Sequence, residues 1–352
     1  MLFCYPIEAT QNNWLHESLS VMIRNRYEQL GSGDAGEAWP MSIPLARRPE
    51  LSQRPTLKKH LDGLYQALAA LDADEQAQVI DALEAQNEIE ALTMAAVACP
   101  RLEDLPLSIR TPVATLYSYA FEALSELGLR DEHYAVIYRL LKHKLCPFCG
   151  CEFFTAPGGP REDLDHYLLK SKYPFAAANL INLVPMGRAC NQKYKLAQDI
   201  LLDDVDRRRR SYFPYGRDIV NVSLARSSPF GGASDRLPNW IVDFMPEKEE
   251  TRTWAEVFRI RERYIRDVLN PEYEAWLEEF ASVCIAFEIP TMTDNELISA
   301  LTRFVAIQDS LGLSDRAFLK GEVFRMLLRA CVGGEARVLS FLRAVLQSIG
   351  TP

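Results

Sequence analysis

The chain has 352 residues, 48% of them hydrophobic and 25% charged, with a formal net charge of −9; that length allows two or three domains, each burying its own core. No run of eighteen or more apolar residues occurs, which excludes a membrane-spanning helix, and Met1–Pro6 has neither a positive n-region nor an apolar h-region, so the expectation is a cytoplasmic protein without a signal peptide. Eight cysteines are too few for a disulfide scaffold.

Up to residue 140 the pattern is helical. Apolar residues recur at helical spacing over Trp14–Leu30, and the glycine-rich stretch 31–36 ends that run. Leu57–Leu71 and Asp74–Leu92 keep the same period, with Asp72-Ala73-Asp74 as helix stop and N-cap. Pro106–Leu127 and Asp131–Lys144 repeat it, with Gly128 as a C-cap. Between Leu145 and Arg217 the texture changes: Gly and Pro cluster at Ala156-Pro157-Gly158-Gly159-Pro160, apolar runs shorten, and a helix is predicted over Asn191–Ile200. A linker rich in Ser, Pro and Gly follows over Ser227–Pro238. Helical periodicity then returns in Glu250–Leu269, Glu272–Phe287, Thr293–Leu311, Asp315–Cys331 and Gly334–Ile349. Such a tail suits a packed bundle, an interaction module or a dimerisation surface. The expected fold class is mainly α, with a helical domain at 1–140, a small α+β domain at 141–220, and a linker with a second helical domain at 221–352.

Charge and cysteine are unevenly spread. Residues 141–217 carry thirteen Lys/Arg and eight Asp/Glu, a local balance of +5, so the remainder stands at −14. Cys146, Cys149, Cys151 and Cys190 fall in the same segment, whereas Cys4, Cys99, Cys284 and Cys331 sit among apolar neighbours and read as small buried hydrophobes.

The segment contains Cys146-Pro-Phe-Cys149-Gly-Cys151, then Leu164-Asp165-His166-Tyr167-Leu168, then Asn182-Leu183-Val184-Pro185, then Cys190-Asn191-Gln192-Lys193. Phosphodiester hydrolysis needs a water deprotonated in line with the leaving oxygen, and neutralisation of the charge that builds on the phosphate. His166 suits the base, its ordinary pKa being near neutrality. Asp165 and Asn191 offer the hard oxygen donors that favour Mg²⁺ or Mn²⁺. In an extended segment adjacent side chains point to opposite faces, so Asp165 can reach a metal while His166 faces the water.

These pieces, in this order, resemble the HNH (ββα-metal) endonuclease family, over about 55 of the 352 residues. The resemblance implies Asp165 and Asn191 as metal ligands and His166 as general base. It implies that Asn182 is the central Asn, which braces the loop and completes the catalytic set. Many members hold a structural zinc with two Cys-x-x-Cys pairs. Here Cys146, Cys149 and Cys190 match three ligands, but the second pair reads Gly187-x-x-Cys190, leaving Cys151 or His143, or no metal at all, as alternatives. Lys170, Lys172, Lys193, Lys195, Arg207, Arg208, Arg209 and Arg210 are the expected phosphate contacts, although the neighbouring Asp199, Asp203, Asp204 and Asp206 can pair with some of them internally. Tyr212, Phe213 and Tyr215 either stack on bases or pack on the domain. The look is closest to stand-alone HNH effectors of bacterial anti-phage systems of the Septu type, which implies DNA (or RNA) as substrate, an ATPase or sensor as partner for the helical arms, and no membrane. The alternative is a non-catalytic helical scaffold or nucleic-acid-binding protein with a structural cysteine knuckle.

Overall fold

Apolar periodicity becomes helix where a local signal fixes its start or stop. Asp72 accepts from Glu75 N at 2.9 Å while Glu75 returns a bond to Asp72 N, a reciprocal cap that sets the first turn of one helix. Thr293 and Glu296 do the same for another. Gly128, at φ 72°, closes a third in the left-handed region that glycine adopts without strain. The computed structural model describes residues 1–34, 36–159, 164–232 and 237–350. Ala35 and Pro160, and positions 233–236 of the expected linker, lie outside the described residues.

The chain is mainly helical with small two-stranded sheets, matching the expected class at that level. The helices are α1 (Trp14–Ser32), α2 (Arg48–Leu51), α3 (Pro55–Ala69), α4 (Ala73–Asn87), α5 (Ile89–Thr93), α6 (Leu107–Glu126), α7 (Leu129–Leu140), α8 (Glu249–Val257), α9 (Ile260–Arg263), α10 (Asn270–Ala286), α11 (Asp294–Leu311), α12 (Ala317–Val332) and α13 (Ala336–Gly350). Among the described residues, no helix is long and apolar enough to cross a membrane. Contacts divide the chain into two units, one of Phe3–Phe148 and Glu152–Asp218 with Met1, the other of Ile219–Pro352 with Leu2 and Cys149–Cys151.

In the first unit, Leu57, Leu61, Leu64 and Leu68 line one stripe of α3 at helical spacing and bury it against Ile109, Val113, Leu116 and Tyr117 of α6. Each such leucine contributes about 2 kcal/mol on leaving water. The same core takes in Leu164, Phe175, Ala177, Ala178, Leu180 and Leu183 from the motif-bearing segment. That segment contains strand β1 (Leu164–His166), antiparallel to β2 (Leu183–Pro185) with Asp165 opposite Val184. Between the strands the chain is irregular yet buried, so its peptide groups need side-chain partners. Helix residues supply them. Asn13, just before α1, accepts from Leu180 N at 2.9 Å and donates to Asn179 at 3.0 Å; Asn179 in turn donates to Asn87 of α4 at 3.0 Å. Gln86 of α4 accepts from Phe175 N at 2.9 Å.

In the second unit, β3 (Asn221–Ser223) pairs antiparallel with β6 (Asp243–Met245), and β4 (Ser228–Gly231) with β5 (Pro238–Asn239). The stretch expected as a linker thus begins and ends in paired strands. Phe280, Phe304 and Phe324 meet edge-on or tilted at 4.5 to 5.4 Å where α10, α11 and α12 pack. Lys320, fully buried, pairs with Glu279 at 2.7 Å and Asp315 at 2.9 Å.

Asn179→Ala removes the partner of Asn13, Asn87 and Ile181 N together. It should lower the unfolding free energy by about 2 to 3 kcal/mol in urea titration; a loss under about 0.5 kcal/mol would show that the amide ties carry no weight.

Candidate functional site

The centre of the site is the end of β1. Past His166, Tyr167 N donates to Asn182 O at 2.8 Å. The Asn182 side chain then takes over where strand pairing stops: its Oδ1 accepts from Leu168 N at 2.7 Å, and its Nδ2 donates to Leu168 O at 3.1 Å and Ala176 O at 3.2 Å. Fully buried and bonded to both ends of the intervening loop, Asn182 fixes the backbone that carries His166.

His166 Nε2 lies 3.0 Å from Ala177 O. A carbonyl only accepts, so in the neutral ring this nitrogen carries the hydrogen and Nδ1 keeps the lone pair. The ring packs on Phe121 of α6 at 4.3 Å between centroids. Burial pushes its pKa down to about 3; the Ala177 carbonyl opposes that shift, while Lys170, Lys195 and Arg130 add to it. His166 is therefore uncharged across the physiological range, the state a proton acceptor requires.

Asp165 turns to the other side of β1, where it meets Lys195. Lys195 Nζ is completely buried, 2.8 Å from Asp165 Oδ2, and donates to His166 O at 2.7 Å. Oδ2 is shielded from water and faces this buried ammonium as its ion-pair partner. Lys195 ends a single π-helical turn, Cys190–Lys195, which carries Asn191 in its first half. Asn191 N donates to Gly187 O at 2.9 Å, and among the described residues the Asn191 side-chain amide makes no hydrogen bond. The helix expected over Asn191–Ile200 stops at Lys195 because Leu196 takes a φ of 45° and Asp199 folds back, accepting from Leu201 N and Tyr173 Oη. The donor types are those a hard divalent cation takes: a carboxylate, and an amide oxygen on the same turn as the lysine that now reaches that carboxylate.

The expected phosphate contacts divide. Lys195 is corrected: burial against Asp165 and His166 O removes it from any nucleic-acid face. Lys172 pairs with Asp199 at 3.2 Å and Arg207 with Asp203 at 2.8 Å. Arg208 donates to the carbonyls of Leu92 and Leu201, and Arg209 to that of Asp199. Lys170, Lys193 and Arg210 are exposed. Tyr212 and Tyr215 are buried, with Tyr167 Oη donating to Tyr212 O and Tyr215 Oη to Leu183 O. Packing is thus their role.

The Sγ atoms of Cys146, Cys149 and Cys190 lie within 4.8 Å of one another, all buried, a cluster able to bind a metal such as zinc. Neither alternative fourth ligand joins it. The Cys151 thiol donates to Cys149 O at 3.3 Å, and His143 leans on Phe3 at 6.3 Å. Of the other cysteines, Cys284 and Cys331 are buried as expected, while Cys4 and Cys99 are half-buried.

Phe121 and Arg130 were not legible as site residues. They come from α6 and α7, and Arg130 lies over Phe121 at 4.5 Å with Lys170 at 5.4 Å. No spacing rule links them to the Asp-His pair. Comparison with protein-family models, curated proteins and solved structures finds no match to this chain.

Lys195→Met keeps the length and removes the charge, leaving Asp165 and His166 O without it; a loss of about 2 to 4 kcal/mol in unfolding free energy is expected, and an unchanged urea midpoint would contradict the buried-pair reading. His166 with His16 (pKa down to about 4) and His133 (also lowered) resists protonation in the folded chain, chiefly through burial. The unfolded chain binds those protons first. Stability should therefore be full above about pH 6.5 and fall as pH drops towards 3. His166→Gln should flatten that fall by up to about 1.4 kcal/mol per pH unit, and an identical slope in the variant would refute the shift.

Proposed function

We propose that this chain is a metal-dependent HNH endonuclease that hydrolyses phosphodiester bonds in DNA. The observation that supports it most is the opposed pair on β1: an uncharged His166 with a lone-pair Nδ1 on one side, and the Asp165 carboxylate on the other. His166 takes the proton of a water whose oxygen forms the new bond to phosphorus, as the bond from phosphorus to the leaving sugar oxygen breaks. Asn182 positions this base through the loop backbone. Asp165 and Asn191 would hold the Mg²⁺ or Mn²⁺, which supplies Lewis-acid stabilisation of charge on the phosphate and leaving oxygens. Lys170, Lys193, Arg207 and Arg210 are exposed cations for phosphate contacts. The resemblance to stand-alone anti-phage effectors extends the proposal to a defence role with an ATPase or sensor partner. Salt-resistant co-purification with such a partner is expected; full activity of the lone protein would count against it.

A second reading, a non-catalytic scaffold with a cysteine knuckle, draws on one observation. Lys195 already neutralises Asp165, so a cation is present without any metal.

The test is cleavage of supercoiled plasmid, single-stranded DNA and RNA with a metal panel. Wild type should cut DNA in Mg²⁺ or Mn²⁺, and His166→Ala and Asp165→Ala should each lose at least about 100-fold, the low end for a general base. Equal cutting by His166→Ala, or none by wild type in any metal, would favour the scaffold. Because burial keeps His166 neutral, the acid limb of kcat/KM should lie below the ordinary histidine pKa of 6.5; a limb at or above it would contradict the assignment.

A further inference from the structure

Three thiolates leave a tetrahedral zinc site one donor short, and the residue at the fourth position of the double Cys-x-x-Cys pattern is Gly187. The structure shows what fills that place. A Cβ on Gly187 would fall 2.7 Å from Glu152 Cδ and 2.8 Å from Glu152 Oε1, well inside contact distance. The Glu152 side chain therefore lies where the side chain of a fourth cysteine would start. Contacts to both sides hold it there. Cys146 N donates to Glu152 O at 2.8 Å across the Leu145–Phe153 bridge, and Ala189 N, next to Cys190, donates to Glu152 Oε2 at 2.9 Å. The glutamate is thus tied to both segments that bear cysteines of the cluster.

We propose that a zinc ion binds the thiolates of Cys146, Cys149 and Cys190 and that Glu152 supplies the fourth donor, an oxygen, in place of the missing cysteine. The charge is that of a four-thiolate site: four anionic donors about one divalent ion. The sulfurs alone form the set within 4.8 Å, so binding requires the carboxylate to turn toward them about its own side-chain torsions.

The full-length chain is assayed for zinc, then reloaded with Co²⁺ and read by its visible spectrum. One zinc per chain is expected, with a cobalt spectrum of three sulfurs and one oxygen. Glu152→Gln should shift the d–d bands and weaken zinc binding more than about 10-fold, the lower bound for losing even an outer partner of a metal site, in competition with a chromophoric chelator. Glu152→Ala combined with Gly187→Cys opens the space and offers a fourth sulfur. It should restore tight binding with stronger sulfur-to-cobalt charge transfer. A chain purified and reconstituted without zinc would overturn the inference, as would a Glu152→Gln variant with the wild-type cobalt spectrum and affinity, because solvent would then close the site. These readouts are independent of nuclease activity.

Discussion

Burying an irregular stretch of backbone is costly unless each peptide group finds a partner, and Tyr173–Leu180 is such a stretch, buried throughout between two three-residue strands. The fold meets this demand with amide side chains rather than with sheet. Asn182 ties Ala176 to Leu168, Asn179 links the loop to Asn13 and Asn87, and Gln86 takes Phe175 N. His166 belongs to the same system, since its Nε2 bonds to Ala177 O within the loop. The orientation of the imidazole is therefore set by the same hydrogen bonds that allow the loop to be buried.

The electrostatics of β1 follow from this burial. On one side, desolvation keeps His166 neutral despite a carbonyl partner that favours its charge. On the other, Asp165 is accompanied by a lysine with no access to water. Taking an ammonium out of water costs several kcal/mol unless a carboxylate and a carbonyl receive it, and Asp165 and His166 O are those two groups. Adjacent residues on one strand thus sit in opposite electrostatic settings, the condition under which two side chains can divide acid, base and metal-binding work.

The helices were legible because their signals are local: the 3.6-residue period in α3 and α6, Asp72 with Glu75, Thr293 with Glu296, and Gly128. The Asp-His pair and the two Asn positions stand out by their order alone, and β1 and β2 place Asp165 and His166 on one short ladder with Asn182 behind the loop. What spacing could not show was long-range. Lys195 reads as one more surface cation beside Lys193, yet the π-helical turn directs it inward by 29 residues of separation to His166. Arg208 and Arg209 read as a charge run, yet irregular carbonyls at Leu92 and Asp199 claim them. Ser227–Pro238 has linker composition, but strand pairing at its ends depends on partners that composition does not identify. Phe121 and Gln86 lie on helices whose periodicity says only that one face is apolar, not which loop that face will cover.

The amide ties also bear on how portable the motif is. A fragment beginning at Leu141 would keep Asp165, His166, Asn182 and Asn191, but Leu180 N and Phe175 N would lose Asn13 and Gln86, and the apolar side chains of Phe175, Ala178 and Leu180 would lose the helices that cover them. The motif residues form a compact word in the sequence, whereas the scaffold that keeps them in place is spelled out from residue 13 onward. Grafting the word alone into another protein would transfer its letters without its grammar.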